Sequence, residues 1–373
     1  MSGRIPQPKR GLLVAGAFLA VVFCAAGQDG SNVLKISDVS VSPEQFNPSN
    51  GEKASITYVL SRDAAVKIRI YDPDAGLVAY VVNDKPRPKG LNKETWDGRD
   101  ERGVVVPDEA YYFTIDVRSR TFRTRYDPTE TSGGEEIDLE SANFDKEAGI
   151  INYVLKKPAR IQARAGIENG PLMMTLEDWV PRPRGGNTIY WNGLDDTGKI
   201  DVMAQPNFKM TIGGFELPEN SLITYGNARP DYWAYRETNK PSETKTMEPL
   251  QRTGQALSRH YFMTRIRDRS PRVLISLPSA GPGALPVLRG RLIVQVDIGP
   301  QNKKYFTMEQ FEIVFAVDGR YFVEETNGYV PYNWSWDTTQ FPDGEHILTV
   351  NVASLNDQIG ASSKMVLIKN KAQ

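Results

Sequence analysis

The sequence predicts an all-β protein, built as three tandem β-sandwich modules behind an apolar N-terminal segment. Three observations predict it: strands that alternate apolar and polar residues, an internal repeat of 95 residues, and a composition rich in Tyr, Phe, Gly and Pro.

The alternation comes first. Residues 65–71, AVKIRIY, alternate with period 2. Val66, Ile68 and Ile70 are expected to face a core, with Lys67 and Arg69 in water. Residues 111–117, YYFTIDV, alternate likewise, and in residues 347–352 Leu348, Val350 and Val352 share one face.

The repeat comes second. ITYVLS (Ile56 to Ser61) recurs as INYVLK (Ile151 to Lys156), and WDGRDERG (Trp96 to Gly103) recurs as WNGLDDTG (Trp191 to Gly198), both 95 residues later. That period suits one sandwich per repeat. A looser third unit follows: VPDEAYYFTIDV (Val106 to Val117) aligns with FPDGEHILTVNV (Phe341 to Val352), and Trp96-Asp97 corresponds to Trp336-Asp337. The tryptophans are expected to end strands and plug each core, while the Gly and Asp supply turn geometry.

Composition comes third. The chain has 373 residues, 16 Tyr, 14 Phe, 6 Trp, 31 Gly and 25 Pro, which suits short strands joined by turns. The formal net charge is −1, so bulk electrostatics supplies no reason for a nucleic-acid or acidic-membrane partner. A single cysteine, Cys24, excludes an intrachain disulfide, and two distant histidines, His260 and His346, exclude a Cys/His zinc cluster.

The N-terminus reads as an address. Arg4, Lys9 and Arg10 precede the apolar run Gly11 to Cys24, followed by Ala25, Ala26 and Gly27. This is the order of an export signal over residues 1–27, and the apolar core is too short to span a bilayer. Two processing routes stand: cleavage after Ala26 or Gly27, or lipidation of Cys24, which would provide the only membrane attachment. Phe23 before that cysteine departs from the small residue that lipoprotein signals resemble one another in having.

The expected boundaries are 35–120 for the first module, 144–224 for the second, 225–270 for a connector and 271–369 for the third. The stretch Thr124 to Ser141 reads as a linker or extended loop, and Pro249 to Arg259 as a short helix.

The alternating strand, the W-[DN]-G-x-D-[DE]-x-G turn and the P-D-x-x-Y strand resemble the immunoglobulin-like domain of flagellar hook-capping proteins, best over residues 35–118. The second copy departs from the pattern at VMAQPNFKMTI (Val202 to Ile212). The third unit resembles a broader class of bacterial immunoglobulin-like domains through Trp336 to Val350. The resemblance implies three tandem immunoglobulin-like β-sandwich domains and says little of function, because the fold hosts many roles. The signal-like segment argues against flagellar hook assembly.

Candidate chemistry is sparse. Asp97, Asp100 and Glu101, with Asp195, Asp196 and Asp201, offer oxygen ligands for calcium, or else cap turns. His346 aligns with Tyr111 and is expected to pack at a strand edge. His260 lies in RHYFMTRIRDR (Arg259 to Arg269). The run Arg259, Arg265, Arg267, Arg269 and Arg272, interleaved with Tyr261 and Phe262, offers an anionic-polymer contact or a solvated face. Tyr232, Trp233 and Tyr235 offer either sugar stacking or packing of the connector onto a sandwich. No catalytic, cofactor or metal residue is assigned, and no GxSxG, P-loop or dinucleotide fingerprint stands in the right context. The expected role is a non-enzymatic envelope or surface protein whose partner is a protein or an envelope polymer. A polysaccharide-binding accessory protein is the alternative.

Overall fold

The computed structural model describes residues 33–228, 231–245, 269–280 and 285–371, and the backbone alone at 251–252 and 255–256. Residues 1–27, expected to be an export signal, together with Cys24 and His260, lie outside the described residues. Among the described residues no helix is long and apolar enough to cross a membrane.

The protein is all-β and forms three immunoglobulin-like sandwiches. The first contains β1 (Ile36–Ser42), β2 (Gln45–Phe46), β3 (Ala54–Leu60), β4 (Ala64–Tyr71), β5 (Leu77–Arg87), β6 (Gly90–Trp96), β7 (Ala110–Arg118) and β8 (Arg123–Tyr126). One sheet is β1-β3-β6; the other runs β2, then a strand from Leu222–Thr224, then β7-β4-β5, with β8 also on β7. Period-2 alternation decides which side chains meet between them: Val66, Ile68 and Ile70 are fully buried, and Phe113 and Ile115 join them.

The second sandwich contains β9 (Leu139–Asp145), β10 (Ile150–Leu155), β11 (Ala159–Ile167), β12 (Leu172–Arg182), β13 (Gly185–Tyr190) and β14 (Phe208–Glu216), in sheets β13-β10-β9 and β12-β11-β14. After it comes β15 (Leu222–Thr224), which leaves the second module to pair with β7 and, in parallel, with β2.

The third sandwich explains β15. After a short helix α1 (Tyr232–Thr238) and the two-residue strands β16 (Gln251–Arg252) and β17 (Gln255–Ala256), it contains β18 (Val273–Ser276), β19 (Val287–Leu288), β20 (Arg291–Ile298), helix α2 (Pro300–Phe306), β21 (Phe311–Val317), β22 (Arg320–Glu325), β23 (Tyr332–Asp337), β24 (Gly344–Ser354) and β25 (Ile359–Ile368). Its last strand, β25, pairs along all of β24 and in parallel with β19. In the first module the matching track beside β7 is split: β8 covers Ile115 to Arg118, and β15 covers Ala110 and Tyr111. The aspartates of the two Pro-Asp pairs mark the same place. Asp108 accepts from the backbone of Gly226 and Asn227 (3.1 and 2.6 Å), and Asp343 from Asn370 and Lys371 (2.8 and 3.2 Å). The second module is therefore inserted into the last strand of the first. Leu222 to Thr224, placed by sequence at the end of the second module, completes the first module's sheet.

Each repeat tryptophan is buried as expected: Trp96 is 3 % exposed, Trp191 6 % and Trp336 0 %. Trp96 Nε1 donates to the Arg99 carbonyl (3.0 Å) and Trp191 Nε1 to the Leu194 carbonyl (2.8 Å), each three residues on in its turn. That turn needs a left-handed residue, supplied by Gly98 (φ 70°) and Gly193 (φ 82°). The third module lacks the turn, and the buried Trp336 Nε1 has no acceptor there.

Candidate ligand-binding cleft

The turn acids serve the backbone. Asp100 Oδ1 accepts from the backbone of Arg102 and Val104 (2.9 Å each), and its Oδ2 accepts from the Tyr235 hydroxyl (3.0 Å). Asp195 Oδ1 accepts from Lys199 and Ile200 (3.0 Å each), Asp97 from Arg99, and Asp201 from Ala204. Glu101 accepts from Ser242. Burial pushes the Asp196 carboxyl up. Among the described residues no group of three His, Cys, Asp or Glu side chains is arranged to hold a metal ion.

His346 takes the role of Tyr111. The Tyr111 hydroxyl donates to the Pro107 carbonyl (3.0 Å), and His346 Nε2 lies 2.9 Å from the Pro342 carbonyl, at the same four-residue offset. Its Nδ1 lies 2.6 Å from Asp318 Oδ2. Both ring nitrogens face acceptors, which only the imidazolium can satisfy as a double donor. Burial opposes the charge, but Asp318 and the Pro342 carbonyl outweigh it and raise the pKa above 6.5. A raised folded-state pKa stabilises below the unfolded value and stops doing so as pH rises through the folded one. The third module is therefore expected to lose stability as pH climbs from below 6.5 past the folded pKa. One of the two histidines should titrate above 6.5 by NMR, and His346→Gln should remove that part of the pH dependence.

Of the connector aromatics, Tyr232 and Tyr235 pack inward and Trp233 is half-buried. Tyr232 and Tyr235 are 2 % and 4 % exposed, on α1, which is capped by Asp231. Tyr232 donates to Asp74 (3.2 Å), and Arg236 pairs with buried Asp72 at 2.7 Å. Burial pushes the Asp72 carboxyl up to about 7 despite that arginine. Leu77 N donates to the Glu243 carbonyl and Lys245 N to that of Ala75, so residues 231–245 strap onto the first module. The Lys245 ammonium pairs with buried Asp127, which caps the short 3-10 helix Pro128–Glu130. The region after Thr124 thus begins as a strand and a tied-down turn. The expected helix over Pro249 to Arg259 does not form at its described positions: β16 and β17 pair there as a two-residue ladder. Of the connector's basic run only Arg269 and Arg272 are described, half-buried and exposed respectively.

The feature that sequence reading missed lies along the first module's β5-β4-β7-β8 sheet and the loops at its end. Two adjoining clefts, of about 700 and 580 Å³, share Arg118. Eight cations and three carboxylates line them. The acids are shared: Asp84 pairs with Lys67 (3.0 Å) and Arg118 (3.2 Å), and Asp116 with Arg69 and Arg125 (2.6 Å each). Arg123 stands directly opposite Arg118 in the β7–β8 ladder, a like-charge pair that disfavours the ladder by itself. The signal was the spacing of Arg118, Arg120, Arg123 and Arg125 around a hairpin. Lys67 and Arg69, some fifty residues earlier, join them only through the β4–β7 register.

No family model matches the chain, and no curated protein does. Among solved structures, it is similar to the fibronectin(III)-like modules of Clostridium thermocellum CbhA (12 % identity, 91 % of this chain, 95 % of that one, TM-score 0.21). It is also similar to a Ca2+-stabilized adhesin of an Antarctic bacterium that binds ice (11 %, 91 % and 75 %, TM-score 0.19). An endo-beta-1,4-mannanase from Thermotoga petrophila matches 30 % of this chain at 22 % identity and TM-score 0.22, and this chain spans only 23 % of that enzyme.

Proposed function

We propose that the chain is a non-catalytic, exported protein of the cell envelope or surface, which holds immunoglobulin-like modules at fixed spacing for contact with a protein or polymer. The observation that carries this reading is the locking of both module junctions by buried contacts. Between the first and second modules, Arg160 (1 % exposed) reaches Glu109 (1 %) as a fully buried ion pair and donates to the Trp179 carbonyl (3.2 Å). Between the second and third, the Asn351 amide spans both backbone groups of Leu172: its Oδ1 accepts at 3.0 Å and its Nδ2 donates at 2.8 Å. Ile347 and Met365 pack into the second module's core. These contacts cover the face of β24 opposite Leu348, Val350 and Val352.

Such junctions suit a spacer rather than a hinged enzyme. The turn carboxylates and His346 are taken up by caps and packing, which also favours a non-catalytic role. The charged, apolar, small-residue order of residues 1–27 supports export, with either a cleaved end near Ala26 or a lipid on Cys24. Mass spectrometry of the chain from fractionated cells tests it: the expected product lacks the apolar run or starts at an acylated Cys24. A cytoplasmic chain that keeps Met1 to Cys24 overturns the reading.

The junction makes its own prediction. Asn351→Leu removes the amide that serves the N–H and carbonyl of half-buried Leu172, at about 0.5–1.5 kcal/mol for each hydrogen bond lost. Limited proteolysis is expected to cut between the second and third modules faster in this variant, with the first module's protection unchanged.

A further inference from the structure

The geometry points to a binding site for an acidic polysaccharide along the paired clefts of the first module. Several observations converge on it. The clefts concentrate cations in a chain whose overall charge is −1, so the excess is local rather than a by-product of a basic protein. Asp84 and Asp116 are each already shared by two cations, and Arg87 and Arg69 also pair with Glu94 and Glu243, so the cations an incoming anion would meet are the exposed ones. Arg120 and Arg123 are exposed at the clefts. Arg123 faces Arg118 across a ladder, where opposite charges would favour folding; Asp84 offsets Arg118, and an anion between the two arginines would relieve the pair further.

The shape selects among anions. Two clefts that meet at Arg118 form a path, which suits a chain carrying repeated charges better than a single small ion. Planar guanidinium forks match carboxylate and sulfate groups in bidentate fashion. Ala65, Pro86 and Pro88 form small apolar patches beside the cations, surfaces on which the C–H faces of sugar rings can lie. The choice of polysaccharide over nucleic acid rests on the exported reading above.

The test uses the full chain and sodium alginate, a polymer of uronic acids, with neutral dextran, duplex DNA and phosphatidylglycerol vesicles as parallel probes. Affinity electrophoresis is expected to retard the protein in alginate and not in dextran, with an affinity that falls as salt rises. The variant Arg120→Glu/Arg123→Glu is expected to weaken alginate binding about tenfold or more. Because Glu at 123 would face Arg118 with opposite charge, the same variant should keep or raise the unfolding midpoint, so that lost binding cannot be lost folding. Undiminished binding by the variant, or equal retardation in dextran, overturns the site. Tighter binding to DNA or to vesicles than to alginate overturns the polysaccharide as its ligand. Fractionation decides export separately: a cytoplasmic chain that still binds alginate through these arginines would refute the location and leave the site standing.

Discussion

Arg160→Ala is expected to destabilise the joined first and second modules by about 3–5 kcal/mol, because it leaves the Glu109 carboxylate buried with only the weaker influence of Arg269 to offset its charge. Glu109 Oε1 still accepts from the Ala110 N–H at 2.6 Å, and Glu109 N donates to the Thr224 hydroxyl at 3.1 Å, but neither supplies a countercharge. Burial already pushes the Glu109 carboxyl up, with Arg160 opposing that rise. Without the arginine the carboxyl should take a proton, so the deficit should shrink as pH falls. Urea denaturation at two pH values measures both effects. Replacing the pair together, as Glu109→Gln with Arg160→Met, removes the lone charge and is expected to recover most of the loss. A single Arg160→Ala variant as stable as the parent would show that the pair does not hold the junction.

Trp96→Ala is the second large effect, at about 3–5 kcal/mol, the range for emptying a well-packed aromatic site. Trp96 lies edge-on to Phe46 (5.7 Å) and Tyr111 (5.4 Å), so the cavity would open between the two sheets. The loss is comparable to the whole stability of a small domain. The inserted topology adds a consequence. The first module's last strand exists only if the chain leaves and re-enters it, so the second module's ends are pinned by the first. Unfolding of the first module is expected to lower the second module's own midpoint, while the equivalent Trp336→Ala should leave the first module largely untouched and cost the second only the cover it takes from Ile347, Asn351 and Met365. An unchanged denaturation midpoint for Trp96→Ala would refute the indole's place in the core. Two independent transitions for the first and second modules would refute the coupling.

The second junction and the histidine behave differently from these because their groups are exchangeable. A protein engineer could satisfy Leu172 with another amide, or replace His346 with the Tyr that the first repeat carries at that position. The Glu109–Arg160 pair and Trp96 admit no such substitute without repacking what surrounds them.

Much of the fold was written locally. Period-2 alternation identified β4, β7 and β24, and the burial of Val66, Ile68, Ile70, Leu348, Val350 and Val352 follows from it. The tryptophan turns were legible because Gly98 and Gly193 meet a backbone requirement that few other residues can meet. The resemblance to a P-D-x-x-Y strand was legible too, although the sequence did not say what Asp108 and Asp343 cap. Other repeated details hid in plain view: Asn92 and Asn187, 95 residues apart, each donate to a proline carbonyl four residues back, and Tyr58 and Tyr153 each meet an arginine-bound glutamate. That glutamate comes from β6 in the first module and from β12 in the second, so it broke the repeat that would have revealed it.

The sequence by itself determined the strand content, the three cores and the turns that close them, since each depends on residues a few positions apart. Only the tertiary structure decided that Leu222 to Thr224 belongs to the first sandwich, that Tyr232 and Tyr235 turn inward, and that Lys67 and Arg69 stand beside four arginines from another strand pair. Those outcomes depend on which surfaces meet across separations of fifty to more than a hundred residues. A strand's local pattern is the same whichever edge it joins, and the choice is made by complementary packing and by where the chain is brought back.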